Sequence, residues 1–438
     1  MKNKKLFQKV VFIALILAVI FSFVAPAIFS QETLRAPKEE KLLNGLKVLM
    51  WPDPAGEDVQ VRIRIHAGAA FDPQGKEGVM QLLADGIFPS DAQRDFFKED
   101  LGGSLEIVTT YDFIQINASS KPDQMLTMLE TLATAVSGLA IDKEITASLK
   151  NAHVKRLQKA ELDSVYVADH AAAARLLGTF PYGRSMLGTQ ASLAKLDFAD
   201  LIEARGRFFT ADNATIALSG KFDQSLAFRA VRRFFGGWLK SDKRVPTAFR
   251  QPEKSEPAML TVVSPFAEHP EVRIAIRGFA RSDPDYMASK ALAKILKTRL
   301  STTGPREAVT RINVTHEGHV QPGLLVISYT VSPAWMSSGD KPATRLQTFS
   351  ADAGKRVVTA LISDITDSEF AIAKAEAQME MTRKTTADWF LDSHTFALGS
   401  AATDYKALQN LSLADVKRAA ARLAKNPAIT VVVAKPAE

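Results

Sequence analysis

The chain of 438 residues contains no cysteine. That absence excludes a disulfide framework, a thiolate metal site and a cysteine nucleophile. A strong charge of one sign is also missing. The formal net charge is +7, but Lys2, Lys4, Lys5 and Lys9 supply four of those charges, and residues 1 to 30 hold neither an acid nor an arginine. Seven less four leaves +3 for the remainder, so the composition implies no basic groove and no nucleic-acid partner. Nor is the chain starved of apolar residues. At 46% hydrophobic it can bury at least two cores.

The N-terminus has a definite pattern. Its lysines precede the apolar run VVFIALILAVIFSFV, which Ala25-Pro26-Ala27 follows as an A-x-A site. This is the arrangement of a secretory signal. If uncleaved, the run from Val10 to Phe29 is long enough to anchor the chain in a bilayer. Either reading places the bulk of the chain outside the cytoplasm, in the periplasm or at the outer face of the inner membrane.

Beyond a polar lead-in over residues 31–40, two strands are expected: one after the Asn44-Gly45 turn and one at VQVRIRIHAG. In the second, Val61, Ile63 and Ile65 alternate with Arg62, Arg64 and His66, which predicts a sheet with one face buried and one wet. The stretch GVMQLLADGIF, Gly78 to Phe88, then reads as a helix. Its apolar residues form one side, and Gln81 and Asp85, four apart, project together from another. A hairpin, two helices near 122–137 and 143–159, a helix from Phe198 to Phe208 and the strand ATIALSG complete the first half. His153 and His170 lie in helical surroundings without partners at ligand spacing, which favours structural roles.

The second half repeats the first. VRIAIRG from Val272 matches the strand from Val61, with arginine again second, and an acidic Pro-containing loop and an apolar helix follow in both places. The closing LSLADVKRAAARLAKNPAITVVVA mirrors LDFADLIEARGRFFTADNATIALSG. The expected fold is α+β: two homologous α/β sandwich domains related by internal duplication, at 41–238 and 258–438, joined by a Pro- and charge-rich linker at 239–257.

NGLKVLM, HAGAAFDPQGKEGV and PYGRSMLGT, followed by FFTADNATIALSGKFD, resemble the pitrilysin/insulinase family of zinc metallopeptidases. Within it they look most like the mitochondrial-processing-peptidase branch, and the resemblance runs from Lys41 onward. It implies two α/β halves, or two subunits, closing around an extended polypeptide. The family's inverted zinc motif, His-x-x-Glu-His, falls on Gln81, Ala84 and Asp85, and its later glutamate on Ala152. One carboxylate, one neutral amide and two alanines do not make a catalytic zinc site. No intact H-x-x-E-H or H-E-x-x-H occurs elsewhere, and the HEGH at His316 to His319 has the wrong spacing. The family's substrate-gripping Arg and Tyr fall on Arg306 and Asn313, so the tyrosine is lost. The resemblance thus implies a catalytically degenerate member with no metal of its own. Three expectations follow: a non-catalytic subunit paired with an active, zinc-bearing paralogue that helps bind polypeptide; a scaffold subunit of a membrane-associated assembly; or a metalloendopeptidase with an unrecognised site.

Overall fold

A computed structural model describes residues 34–241, 259–338 and 341–436. The N-terminal signal or anchor and most of the proposed linker lie outside the described residues. Among those described, no helix is long and apolar enough to cross a membrane. The compact unit from Pro37 onward is built on two mixed sheets.

The first sheet contains β1 (Lys38–Lys41), β2 (Lys47–Pro52), β3 (Val59–Ile65), β4 (Ser104–Thr109), β5 (Ile114–Ser120) and β6 (Ala214–Gly220). The second contains β7 (Met259–Val263), β8 (Glu271–Arg277), β9 (Val309–His316), β10 (Leu324–Val331) and β11 (Ala428–Ala434). Their orders are β1-β2-β6-β3-β5-β4 and β7-β11-β8-β10-β9. Without β1 the two are the same in order and in sense, because β2 runs parallel to β6 as β7 does to β11 and the other pairs are antiparallel. The duplication expected from VRIRI and VRIAI is therefore a repeat of topology. The polar lead-in differs from expectation, since its last residues form β1 and pair with β2, Lys38 opposite Met50.

The helices used below are α1 (Val79–Ile87), α2 (Met125–Ser137), α3 (Lys143–Glu161), α4 (Ser164–Leu177), α5 (Phe198–Phe208), α6 (Tyr286–Thr302), α7 (Pro342–Ile362), α8 (Asp367–Met381), α9 (Thr386–Thr395) and α10 (Leu413–Leu423). α1, α2 and α5 cover one face of the first sheet. Their Val79, Leu82, Met128, Leu129 and Leu201 meet Val61, Ile63 and Ile116 from the strands. Each such buried side chain stabilises the fold by about 1.5–3 kcal/mol. The second sheet is covered likewise by α6, α7 and α10.

The face read as wet is not wet. α9, from the second half, lies over the other side of the first sheet, where Ala387 and Leu391 pack on Leu49, Trp51 and Ala217. Arg64 donates to Asp392 at 2.6 Å and to Gln115, Arg62 pairs with Asp388 at 3.4 Å, and His66 sits between the hydroxyls of Thr395 and Thr215. Burial, reinforced by Arg64, His394 and Lys47, pushes the His66 imidazole down to about 3, so it is neutral. In exchange α4, from the first half, covers the second sheet. Its Ala168, Ala172 and Leu176 meet Ala275, Val431 and Val433, and its Asp169 pairs with Arg273, the counterpart of Arg62.

Candidate functional site: the vacated metal position

α1 begins abruptly. Gly78 has φ +106°, a conformation that only glycine adopts cheaply, and it offers no side chain to cap the helix. Asp72 supplies the cap from a distance, its two oxygens accepting from the Gly78 and Met80 amides at 2.7 and 2.8 Å. Burial pushes this carboxyl up to about 7, although the two amides and Arg184 pull the other way. Arg184 holds the preceding loop by donating to the Asp72 and Ala70 carbonyls. The PYGRSMLGT segment is thus a brace: Tyr182 bonds Asp112, Arg184 fixes the loop before α1, and the Leu187 carbonyl accepts from His153 Nε2 at 2.8 Å.

On α1, Gln81 and Asp85 do share a side, and Gln81 Nε2 donates to Asp85 Oδ1 at 3.1 Å. Ala84 faces the core and is 0% exposed. The partners of Asp85 come from α3. His153 Nδ1 lies 3.4 Å from Asp85 Oδ2, and Arg156 reaches both carboxylate oxygens, at 3.0 and 3.2 Å. Ala152, the position aligned with the third metal ligand, is exposed on α3; the α3 residues that reach Asp85 are His153 and Arg156. The structural role read for His153 is met from outside its own helix, by Asp85 on α1 and the Leu187 carbonyl. Burial alone would raise the Asp85 carboxyl, but hydrogen bonds from His153, Arg156 and Gln81 hold it below the usual carboxylate range.

These residues do not fit zinc. Asp85 is already paired with the Arg156 guanidinium, the Gln81 amide is spent on it, and Ala84 provides no base. A dication placed here would meet Arg156. No group of three or more acidic or histidine side chains suited to a metal occurs among the described residues.

HEGH is not a second candidate, for its two histidines part company. His316 Nε2 accepts from the Phe279 amide at 2.9 Å while Nδ1 bonds the Ser289 hydroxyl, and burial pushes this ring down to about 3. His319 turns to the first half and meets Asp112 at 2.8 Å. Arg306 is exposed in the turn before β9 and lines a cleft of about 410 Å³. Asn313 is exposed on β9, the outermost strand, and is not part of that lining.

Residues 195–376 match the family model described as the Peptidase M16 inactive domain. An uncharacterized zinc protease of Rickettsia bellii (strain RML369-C) is 18% identical over 208 residues, 46% of this chain and 50% of its own length. The chain thus spans about half the length of the curated relative it matches. Among solved structures, a protease from Helicobacter pylori superimposes with a TM-score of 0.78 at 17% identity, covering 92% of this chain and 100% of that one. A peptidase M16 inactive domain from Pseudomonas fluorescens gives 0.74 at 19%, covering 92% and 98%. The periplasmic protease PqqL from Escherichia coli gives 0.68 at 13%, covering 92% of this chain and 48% of that one. The duplicated sheets, the braced α1 and these likenesses agree: residues 195–376 match the Peptidase M16 inactive domain, and the fold of the chain is that of the M16-like structures.

Proposed function

We propose that the protein is a non-catalytic, peptidase-like subunit of the bacterial envelope, pairing with an active M16 paralogue and contributing part of the surface that holds an extended polypeptide. One observation carries this reading. Where the peptidases place a metal and a general base, this chain has an internal ion pair, Asp85 with Arg156, with His153 next to it and a buried Ala84. The helix and its brace are retained while the chemistry is gone, as suits a chain kept for its shape. Loss of the general base alone costs about 10² to 10⁴ in rate. Zinc, in this reading, belongs to the partner. The N-terminal lysines, apolar run and A-x-A site support export, by cleavage or with residues 10–29 left as an anchor. Arg306 remains available for a peptide carbonyl or carboxylate, whereas Asn313 cannot supply the ring of a tyrosine.

The test is co-expression of the tagged chain with each paralogue from its own cell that carries an intact zinc motif. A stoichiometric complex is expected, with zinc and peptide hydrolysis found in the complex and absent from this chain alone. A chain that stays monomeric beside every such paralogue sinks the proposal, and zinc-dependent hydrolysis by the isolated chain does so as well.

A further inference from the structure

The cleft that Arg306 lines has features that the vacated metal position does not explain. It opens on the helix-covered side of the second sheet, between the end of α6, the 303–306 turn, the start of β9 and α7. At its floor Tyr329 is 2% exposed, its ring edge-on to Phe349 at 5.8 Å. The Tyr329 hydroxyl is buried and bonds to nothing among the described residues. A buried donor left unpaired is costly enough that nearly all such groups find a partner.

Next to it, Arg356 lies over Phe349 at 5.5 Å, with its Nε buried and unpartnered. Gly304 lets it come close. With φ +111°, that residue would carry a Cβ 3.2 Å from the Arg356 Cζ, so a side chain there would press on the guanidinium. Among the described residues, the lining contains Arg306, Arg311 and Arg356 and no acid at all. The two most deeply buried arginines are answered by carboxylates, Arg64 by Asp392 and Arg273 by Glu271. This group is not.

We infer that the cleft binds a phosphate-type oxyanion, with Arg356 pairing with it and Tyr329 donating its hydroxyl. The choice of phosphate over carboxylate follows from geometry. The donors still open, Arg356, Arg306 and the Tyr329 hydroxyl, come from a helix, a turn and a strand around one space, whereas the Ser301, Thr303 and Thr310 hydroxyls already donate to backbone carbonyls. A tetrahedral dianion can accept from several directions, whereas a planar carboxylate is best met in its own plane. Burial pushes the Tyr329 phenol up to about 12 although Arg356 pulls it down, so it stays protonated and able to donate. This inference does not depend on the pairing proposed above, although it gives Arg306 to the oxyanion rather than to a peptide.

The experiment uses the full chain, titrated calorimetrically with inorganic phosphate and, separately, with acetate, and melted in the presence and absence of phosphate. Saturable millimolar or tighter phosphate binding is expected, with acetate much weaker. Arg356→Gln should abolish it. Tyr329→Phe, which keeps the ring and its packing, should weaken binding at least about tenfold and leave the melting temperature in phosphate-free buffer unchanged or higher. Three results overturn the inference: no saturable phosphate binding by the unmodified chain, acetate binding as tightly as phosphate, or phosphate binding that neither substitution alters.

Discussion

His319 joins the two halves through a buried charge. Its Nδ1 lies 2.8 Å from Asp112, a residue 207 positions earlier, while its ring packs on Tyr182 at 4.4 Å. Burial opposes protonation, but Asp112 and Glu317 outweigh it and raise the imidazole from its usual 6.5 to about 9. A raised folded-state value stabilises below the unfolded one and is lost as pH climbs through the folded one. The contribution is therefore complete below pH 6.5 and gone above about 9. Its size is about 3 kcal/mol. Urea melts across that window should show stability falling as pH rises, and His319→Gln should remove most of the slope. An unchanged slope would mean that the pair does not titrate with folding. Neither partner was legible beforehand: HEGH drew attention as a failed metal motif, and nothing in the local sequence names Asp112. The same holds for Asp85, whose side of α1 was readable from a spacing of four but whose Arg156 stands 71 residues away.

α9 shows where pattern reading stops working on a whole element. Period-two alternation correctly gave β3 and its buried Val61, Ile63 and Ile65. It could not distinguish a polar face open to water from one covered by a polar-lined helix, because Arg64 meets Asp392 across 328 residues. α4 and α9 were absent from the reading of the sequence, while α5 and β6 lie where their patterns put them. These two missing helices are the ones that pack on the other half's sheet. Asp392 is the hub of the α9 contact, receiving Arg64, Lys384 and Arg281. Burial raises its carboxyl, yet these cations together hold it below the usual range. Asp392→Asn keeps the shape and removes the charge, leaving Arg64 buried and unanswered. Chemical denaturation should register a loss of about 3–5 kcal/mol. A loss no larger than that of an exposed pair, about 0–1 kcal/mol, would show that α9 is held by its apolar contacts alone.

For the molecule as a whole, the exchange of α4 and α9 means that the two halves are repeats in topology but not independent in packing. The repeat was legible in VRIRI and VRIAI because a duplicated strand keeps its alternation. The exchange was not, since helix amphipathicity does not say which sheet is covered. α4 carries Ala168, Ala172, Leu176 and Leu177 onto the second sheet, where β8 and β11 would otherwise expose Ala275, Ile429, Val431 and Val433. An uncovered apolar face of that kind promotes association. Cutting the chain within 242–258, by an inserted protease site, should therefore leave the halves bound. They are expected to co-elute at the mass of the intact chain in size exclusion, and the second half made alone should be insoluble or bind a hydrophobic dye. Separation of the halves on cutting, each remaining soluble and monomeric, would show that α4 and α9 lie over the opposite sheets without holding them. The same dependence bears on assembly with a paralogue. A chain whose halves brace one another presents a single preformed body, so complex formation should bury surface without folding either half, and the heat-capacity change of binding should be small beside that of unfolding.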